Sequence, residues 1–114
     1  MSNTVFDKIL AGEIPADKVY EDDDVLAFND IKPQAPVHVV VIPKVRISRF
    51  AELAGRPAGE TGKFFRSVAK AAASLGLDGP GYRIVVNNGA DGGQEVEYIH
   101  AHILGGRRMK WPPG

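Results

Sequence analysis

The sequence predicts an α+β fold: an antiparallel sheet of about five strands with one long helix and one or two short ones. Short turns separate apolar runs in the N-terminal half, which is typical of hairpin-connected strands. One long amphipathic segment precedes the last two predicted strands. This order favours an antiparallel meander over a doubly wound parallel sheet and places a binding site on an open sheet face.

The N-terminal half supplies a short helix and three strands. Residues 4–12 combine a capping threonine, an apolar stripe and a final glycine, which predicts a short helix. Residues 19–21 and 25–28 predict a hairpin around an acidic turn. Residues 37–42 are β-branched and almost continuously apolar, which predicts a central strand that is buried on both faces.

The remaining elements follow a proline at position 43. Residues 47–53 predict a short helix, and residues 55–59 a surface loop rich in glycine and proline. Residues 61–75 carry apolar side chains at helical spacing before Gly76, which predicts the long helix. Residues 82–86 predict a further strand, and the histidine-bearing segment completes the sheet.

Composition narrows the classes of function. With 114 residues we expect a single domain over residues 1–114. Fourteen basic and fourteen acidic residues cancel, so we expect no general attraction to nucleic acid or to an anionic membrane. The chain has no cysteine and no apolar run of membrane-spanning length, so we expect a cytoplasmic protein without disulfides.

Residues 97–107 contain the most informative motif, two histidines two positions apart in a predicted strand. Because strand side chains alternate, Tyr98, His100 and His102 are expected on one face of the sheet. One imidazole can attack phosphorus as the neutral base while its neighbour, charged or as a hydrogen-bond donor, contacts phosphate oxygens. The pattern therefore indicates nucleotidyl transfer.

A glycine-rich run, residues 87–94, precedes the histidines. Its glycines allow close backbone approach, and its amides could bind an anion. Two histidines in a strand are also compatible with surface residues or metal ligands, and a Gly-Gly pair with a simple turn. Together the two motifs favour a phosphate site.

At this point the sequence resembles the histidine-triad nucleotide-binding proteins, in the branch that includes the adenosine 5′-monophosphoramidases. The similarity runs through residues 6–9, 12–16, 26–31, 33–36, 38, 41–44, 87, 91–94 and 100–107. The terminal residues 109–114 are similar to the tail of this branch, which reaches across a dimer interface in the family.

The resemblance implies a homodimer that binds a purine nucleotide and hydrolyses nucleoside 5′-phosphoramidates without a cofactor or metal. His100 matches the nucleophile, which carries a nucleotidyl intermediate, and His102 the residue that contacts phosphate oxygens. Asp30 matches the acceptor of both ribose hydroxyls, and its other interpretation is a turn aspartate. His38 matches a buried residue that orients the imidazoles, and since a lone histidine in an apolar strand is more often a satisfied core residue than a catalyst, we assign it no more than that supporting role. The other matched positions are the phosphate-binding Asn87, Gly93, Gln94, Glu95 and Val96, the purine-pocket residues Phe6, Ile9, Phe28, Asn29 and Ile31, and Trp111 in the tail.

Two positions depart from the family pattern. Tyr98 stands where the first of three alternating histidines is expected, so we expect slower or retuned turnover but an intact covalent step. Glu95 stands where close relatives use serine. Its carboxylate would repel phosphate if ionised, could donate a proton if protonated, or could point into solvent.

Three alternatives remain at this stage. The chain could cleave dinucleoside polyphosphates, or it could be a nucleotide-binding regulatory module with weak catalysis. His38, His100 and His102 could also bind zinc, although no carboxylate that would orient such ligands is evident in the sequence.

Overall fold

The computed structural model describes residues 3–114 and confirms the α+β prediction. Its sheet has five strands in the order β1-β2-β3-β5-β4, and each neighbouring pair is antiparallel. The strands are β1 Lys18–Glu21, β2 Val25–Asn29, β3 Val37–Pro43, β4 Arg83–Val86 and β5 Ala101–Gly105.

One long helix and several short ones accompany the sheet. The short N-terminal helix begins with a capping box, in which Thr4 Oγ1 accepts from the Asp7 N–H and Asp7 accepts from the Thr4 N–H. The helices are α1 Val5–Leu10, a 3₁₀ helix Phe50–Gly55, α2 Ala58–Ser74 and the one-turn α3 Gly89–Gly92.

Alternation along the central strand divides the core between the two faces of the sheet. Val39 and Val41 of β3 pack with α2, whereas Val40 and Ile42 pack on the other face with α1 and Tyr98. The α1 helix covers only part of the sheet face on which Val40 and Ile42 lie. The space beside it is where the predicted site residues lie.

The strand order differs from a meander because β5, the last strand, lies between β3 and β4. The α2 helix packs against one face and carries the chain from β3 to the far edge, which leaves the position beside β3 open for β5. The C-terminal strand is therefore central, and its side chains can meet those of β3.

Four elements also differ from the sequence prediction. The helix predicted over residues 47–53 is the 3₁₀ helix Phe50–Gly55. The α2 helix begins at Ala58, directly after Pro57, so the predicted loop is shorter than expected. The glycine-rich run contains α3 instead of remaining a loop. β5 begins at Ala101, so Tyr98 and His100 precede the strand, and the Ile99 N–H donates to Ile47 O at 2.7 Å. Within residues 3–114, no helix combines the length and apolar character needed to cross a bilayer.

Asp22 anchors the first hairpin to the long helix. Its Oδ2 accepts from Tyr20 Oη and Ser67 Oγ, both at 2.7 Å, and its Oδ1 accepts from the N–H groups of Asp24 and Val25. Burial alone would raise the pKa of Asp22, but these hydrogen bonds lower it to about 2. The charged carboxylate therefore stabilises the fold above its ordinary pKa of 3.8, and this contribution is lost as the pH falls toward 2.

We expect Asp22→Asn to lower the free energy of unfolding by about 1–3 kcal/mol. Asparagine replaces one of the two accepting oxygens by an NH₂ group, which cannot accept, so one pair of hydrogen bonds is lost. Urea denaturation at neutral pH measures the effect. Asp23→Asn, at an exposed position of the same turn, is the matched control. Equal stability of the two variants would contradict the anchoring role of Asp22.

Candidate functional site

Two adjacent cavities lie beside α1. A polar cavity of about 520 Å³ is lined from the β2–β3 connection, the β4–β5 connection and the histidine strand, and an apolar cavity of about 350 Å³ lies next to it. Asp30 and Ile31 line both cavities. A ligand with an apolar ring, a polar linker and an anionic group would span them with the linker at Asp30.

The two motif histidines come together at the polar cavity. His102 lies in β5 opposite Val40, and His100 lies directly before that strand. Their ring centroids are 5.0 Å apart, and both rings line the cavity. Although β5 is shorter than predicted, alternation continues through its N-terminal extension, because Ile99, Ala101 and Ile103 pack in the core on the α2 side.

A hydrogen-bond relay fixes the protonation of His102. The Gln34 N–H donates to His38 Nδ1 at 3.0 Å, so that nitrogen carries no proton. The proton of the neutral His38 ring is therefore on Nε2, which lies 2.8 Å from His102 Nδ1 and donates to it. His102 Nδ1 is thus an acceptor, and the ring's remaining proton is on Nε2.

Burial, together with the neighbouring His100 and His38, lowers the pKa of His102 to about 4, and Asp30 opposes this only in part. His102 is therefore neutral at physiological pH. The sequence left open whether His102 would contact phosphate oxygens as a charged ring or as a neutral hydrogen-bond donor. The structure favours the neutral donor.

His100 has the opposite arrangement of its two nitrogens. Its Nδ1 lies 2.7 Å from the Tyr98 carbonyl oxygen, which can only accept, so Nδ1 carries the proton. Nε2 therefore keeps its lone pair. Burial lowers the pKa of His100, and the Tyr98 carbonyl, Asp30 and Glu95 oppose this only in part. Phe6 packs edge-on against the ring at 5.0 Å, so the neutral, nucleophilic tautomer is held in one orientation.

Asp30 is both a turn aspartate and a site residue. Its Oδ1 accepts from the Lys32 N–H at 2.7 Å, as the turn interpretation expects, and its Oδ2 lies 3.3 Å from His38 Nε2. The side chain is only partly buried and lines both cavities. The turn fixes the carboxylate where the cavities meet.

The glycine-rich segment forms one wall of the polar cavity. Asn87, Gly93, Glu95 and Val96 line it, and Gly93 has a φ of 80°, which favours glycine. The Gln94 side chain is turned away from the cavity. It accepts from the Gly89 N–H and donates to the carbonyl oxygens of Ser48 and Val96 at 2.8 and 2.9 Å. Gln94 therefore holds the loop together.

The predicted purine-pocket residues line the apolar cavity. Phe6, Ile9 and Phe28 are at most 8% exposed and also belong to the core, so both sequence-based interpretations describe them correctly. Ile31 forms a rim that is 93% exposed, and Asn29 donates to Asp17 at 2.8 Å. The cavity is lined by Val5, Phe6, Ile9, Ile14, Pro15, Ala16, Asp17, Phe28, Asn29, Asp30, Ile31 and Val40.

Sequence reasoning missed several lining residues. Lys32 and Gln34 line the polar cavity, and the Gln34 backbone also sets the His38 tautomer. Residues 14–17 line the apolar cavity. Both stretches lie within or beside segments that match the family, and this match was the only sign in the sequence that they could line a site. Their placement depends on how the loops fold over the sheet, which local sequence does not show.

Tyr98 does not join the imidazole network through its side chain. The hydroxyl donates to the Pro43 carbonyl oxygen, Arg46 lies 4.8 Å above the ring, and burial raises the pKa of Tyr98 to about 12. Only the Tyr98 carbonyl contacts His100. The third imidazole of the network is instead His38.

The metal alternative is not supported by the distances. Asp30, His38 and His102 have potential ligand atoms within 4.8 Å of one another, a set that includes Asp30 in place of His100. However, His38 Nε2 and His102 Nδ1 are 2.8 Å apart, whereas two nitrogens bound to tetrahedral zinc are separated by about 3.3 Å. The two rings therefore share a proton in this structure, and zinc at this set would require them to move apart.

The C-terminal tail lies along β4. Arg83 donates to Lys110 O at 3.0 Å and stacks 5.8 Å from the Trp111 ring centroid. Trp111 remains 81% exposed. The tail is therefore held away from both cavities within one chain, with a large apolar ring facing solvent.

We expect Tyr98→Phe to lower the free energy of unfolding by about 1–3 kcal/mol, because the buried Pro43 carbonyl loses its donor. Thermal or urea unfolding measures this, and Tyr82→Phe, at an exposed tyrosine, is the matched control. Unchanged stability would contradict the assigned bond.

Tyr98→His, assayed for turnover, tests the separate expectation that a histidine here raises the rate.

Comparisons with known proteins agree with this arrangement. The profile of the HIT domain family matches residues 11–109. The adenylylsulfatase HINT1 of Arabidopsis thaliana is 47% identical over 115 residues, covering 99% of this chain and 78% of the relative. A 14 kDa zinc-binding protein of Brassica juncea is 47% identical over 114 residues, covering 98% and 100%. The crystal structure of a HIT family hydrolase from Legionella pneumophila Philadelphia 1 superposes with a TM-score of 0.91 at 46% identity, covering 98% and 100%.

Proposed function

This chain belongs to the HIT domain family, and from that premise we propose that it is a nucleotide-binding hydrolase that cleaves nucleoside 5′-phosphoramidates through a covalent intermediate on His100. One observation carries the proposal. His100 donates its Nδ1 proton to the Tyr98 carbonyl while its ring lines the polar cavity, so the unprotonated Nε2 is available to a bound phosphorus.

The two cavities suggest how the substrate binds. A purine fits the apolar cavity beside the Phe6 and Phe28 rings, which pack edge-on against each other, and the ribose hydroxyls meet the Asp30 carboxylate, which offers acceptors only. The phosphate then lies in the polar cavity, where His102 Nε2–H supplies one donor. The N–H groups of Gly93 and Gln94 already donate to Ala90 O and Gly89 O, so the proposed backbone donors are those of Glu95 and Val96. Because His102 is neutral, it contributes a directed hydrogen bond and not a full charge.

The proposed reaction has two displacements at phosphorus. The Nε2 lone pair of His100 forms a bond to phosphorus, the P–N bond to the amine breaks, and the amine leaves with that electron pair and takes a proton from solvent. Water then attacks phosphorus, the bond to Nε2 breaks, and the products are the nucleoside monophosphate, a proton and neutral His100. The Tyr98 carbonyl stabilises the positive imidazolium of the intermediate.

A homodimer remains part of the proposal. Trp111 is 81% exposed, and Ile84 and Tyr82 at the β4 edge are also exposed. Large apolar side chains at a sheet edge are typical of a protein–protein contact. The resemblance of the tail to one that crosses a dimer interface supports the same assignment.

We expect His100→Ala to lower the hydrolysis rate of an AMP phosphoramidate about a thousandfold or more, because the covalent route is lost. Side-by-side assays of the native chain and the variant measure this. Mass spectrometry of the native chain mixed with substrate, without acid, should show a nucleotidyl adduct on His100. Equal rates would overturn the nucleophile assignment, and AMP binding without an adduct would favour the regulatory-module alternative.

The same assay addresses metal dependence and substrate class. A chelator should leave the rate unchanged, whereas loss of activity would indicate a metal at Asp30, His38 and His102. The Brassica relative is described as a zinc-binding protein. Faster cleavage of a dinucleoside polyphosphate or of adenylyl sulfate than of the phosphoramidate would assign a different leaving group.

The pH dependence should reflect the lowered pKa of His100. Because protonation of Nε2 removes the nucleophile, kcat/KM should be constant near neutral pH and fall as the pH drops through a value below the ordinary 6.5. Values of kcat/KM measured from about pH 4.5 to about pH 8 show where this acidic decrease occurs. An inflection at or above 6.5 would contradict the buried, neutral state of His100.

A further inference from the structure

We infer that Glu95 selects the leaving group, favouring phosphoramidates whose amine carries an additional positive charge and disfavouring anionic leaving groups. The inference rests on the proposed function and specifies its substrate class. It concerns the one ionisable side chain that the glycine-rich wall contributes to the polar cavity.

The position of Glu95 relative to His100 is the first support. His100 is only 6% exposed and lies at the floor of the cavity, whereas Glu95 is exposed and lines the same cavity. In an in-line displacement the leaving group departs on the side of phosphorus opposite the nucleophile. With the nucleophile at the floor, the leaving group points toward the opening, where Glu95 lies.

The balance of charges around the nucleophile is the second support. Two carboxylates, Asp30 and Glu95, raise the pKa of His100 against the effect of its burial. Lys32 is a cation that also lines the cavity. Asp30 accepts from the Lys32 N–H and is assigned to the ribose hydroxyls in the proposed binding mode, which leaves Glu95 as the carboxylate available to a departing group.

The residues on either side of Glu95 are held in place, so Glu95 stays in the cavity wall. Gln94 fixes the backbone on one side through three hydrogen bonds, and Val96 packs against the core cluster that contains Phe6. Glu97, the next carboxylate, is paired with Arg49 at 2.8 Å and does not line the cavity. The two glutamates therefore have the same charge but different surroundings.

The consequence is a substrate preference that depends on charge. A leaving amine with a second, ammonium group is attracted to Glu95, whereas a carboxylate, sulfate or phosphate leaving group is repelled. For an exposed pair each effect amounts to about 1.4- to 5-fold in rate. The preference between oppositely charged leaving groups is therefore about 2- to 25-fold.

Three AMP phosphoramidates of similar length test the inference, with n-butylamine, 1,3-diaminopropane or β-alanine as the amine. In Glu95→Gln, the ratio of kcat/KM for the diamine over the β-alanine substrate should fall about 2- to 25-fold relative to the native chain. Comparing variants cancels the intrinsic reactivity of each amine. High ionic strength should narrow the ratio in the native chain as well, because screening weakens exposed charge pairs.

Glu97→Gln is the matched control, because it removes the same charge two residues away outside the cavity. Its ratio should equal that of the native chain, and an equal fall in both variants would overturn a specific role for Glu95. An unchanged ratio in Glu95→Gln, with hydrolysis still dependent on His100, would overturn this inference alone. Absence of hydrolysis of all three substrates by the native chain would overturn it together with the proposed function.

Discussion

The pairing of β3 with β5 is the constraint on which the site depends. Val40 lies opposite His102 and His38 opposite Leu104, so the two imidazoles are diagonal neighbours on one sheet face. A slip of one residue would move His102 to the face covered by α2. The apolar side chains of Val39, Val41, Ala101 and Ile103 on that face oppose such a slip, because it would expose them and bury a polar ring. The core therefore fixes the geometry of the imidazole pair.

From this register follows a directed set of hydrogen bonds. The Gln34 amide, His38 and His102 form one series that ends in a donor at the cavity, whereas the Tyr98 carbonyl holds His100 as an acceptor at Nε2. The two rings are the same residue type, 5.0 Å apart, with opposite tautomers. Burial keeps both neutral by lowering their pKa values. Their different roles come from backbone partners and not from the motif itself.

Much of the fold was predictable because its signals are local. Thr4 and the glycine at position 12 define α1, and the apolar spacing of α2 defines its buried face. The order of β4 and β5 was not predictable, because it depends on where α2 delivers the chain after crossing the sheet. For the same reason the start of β5 was wrong: Ile99 bonds to Ile47 in a distant segment, and no local residue marks that contact.

The candidate site was predictable in its residues but not in their connections. Spacing alone placed His100 and His102 together, whereas the roles of Gln94 and Tyr98 depend on partners more than 40 positions away, Ser48 and Pro43. A histidine at position 98 was expected to supply a third ring behind the nucleophile, and His38 from β3 supplies one beside His102 instead. Long-range hydrogen bonds of this kind leave no periodic trace in a sequence.

The electrostatics of the site follow from the same neutral imidazoles. A chain with equal numbers of acidic and basic residues attracts no phosphate from a distance, so binding depends on donors inside the cavity. Asp30 and Glu95 repel a doubly charged phosphate more strongly than a singly charged one, and Lys32 at the same cavity offsets this repulsion only in part because two carboxylates face one cation. A phosphoramidate carries one negative charge at phosphorus, whereas the released monophosphate approaches two at neutral pH. Under the proposed reaction, the carboxylates beside the neutral imidazoles would therefore weaken binding of the monophosphate product relative to the phosphoramidate substrate.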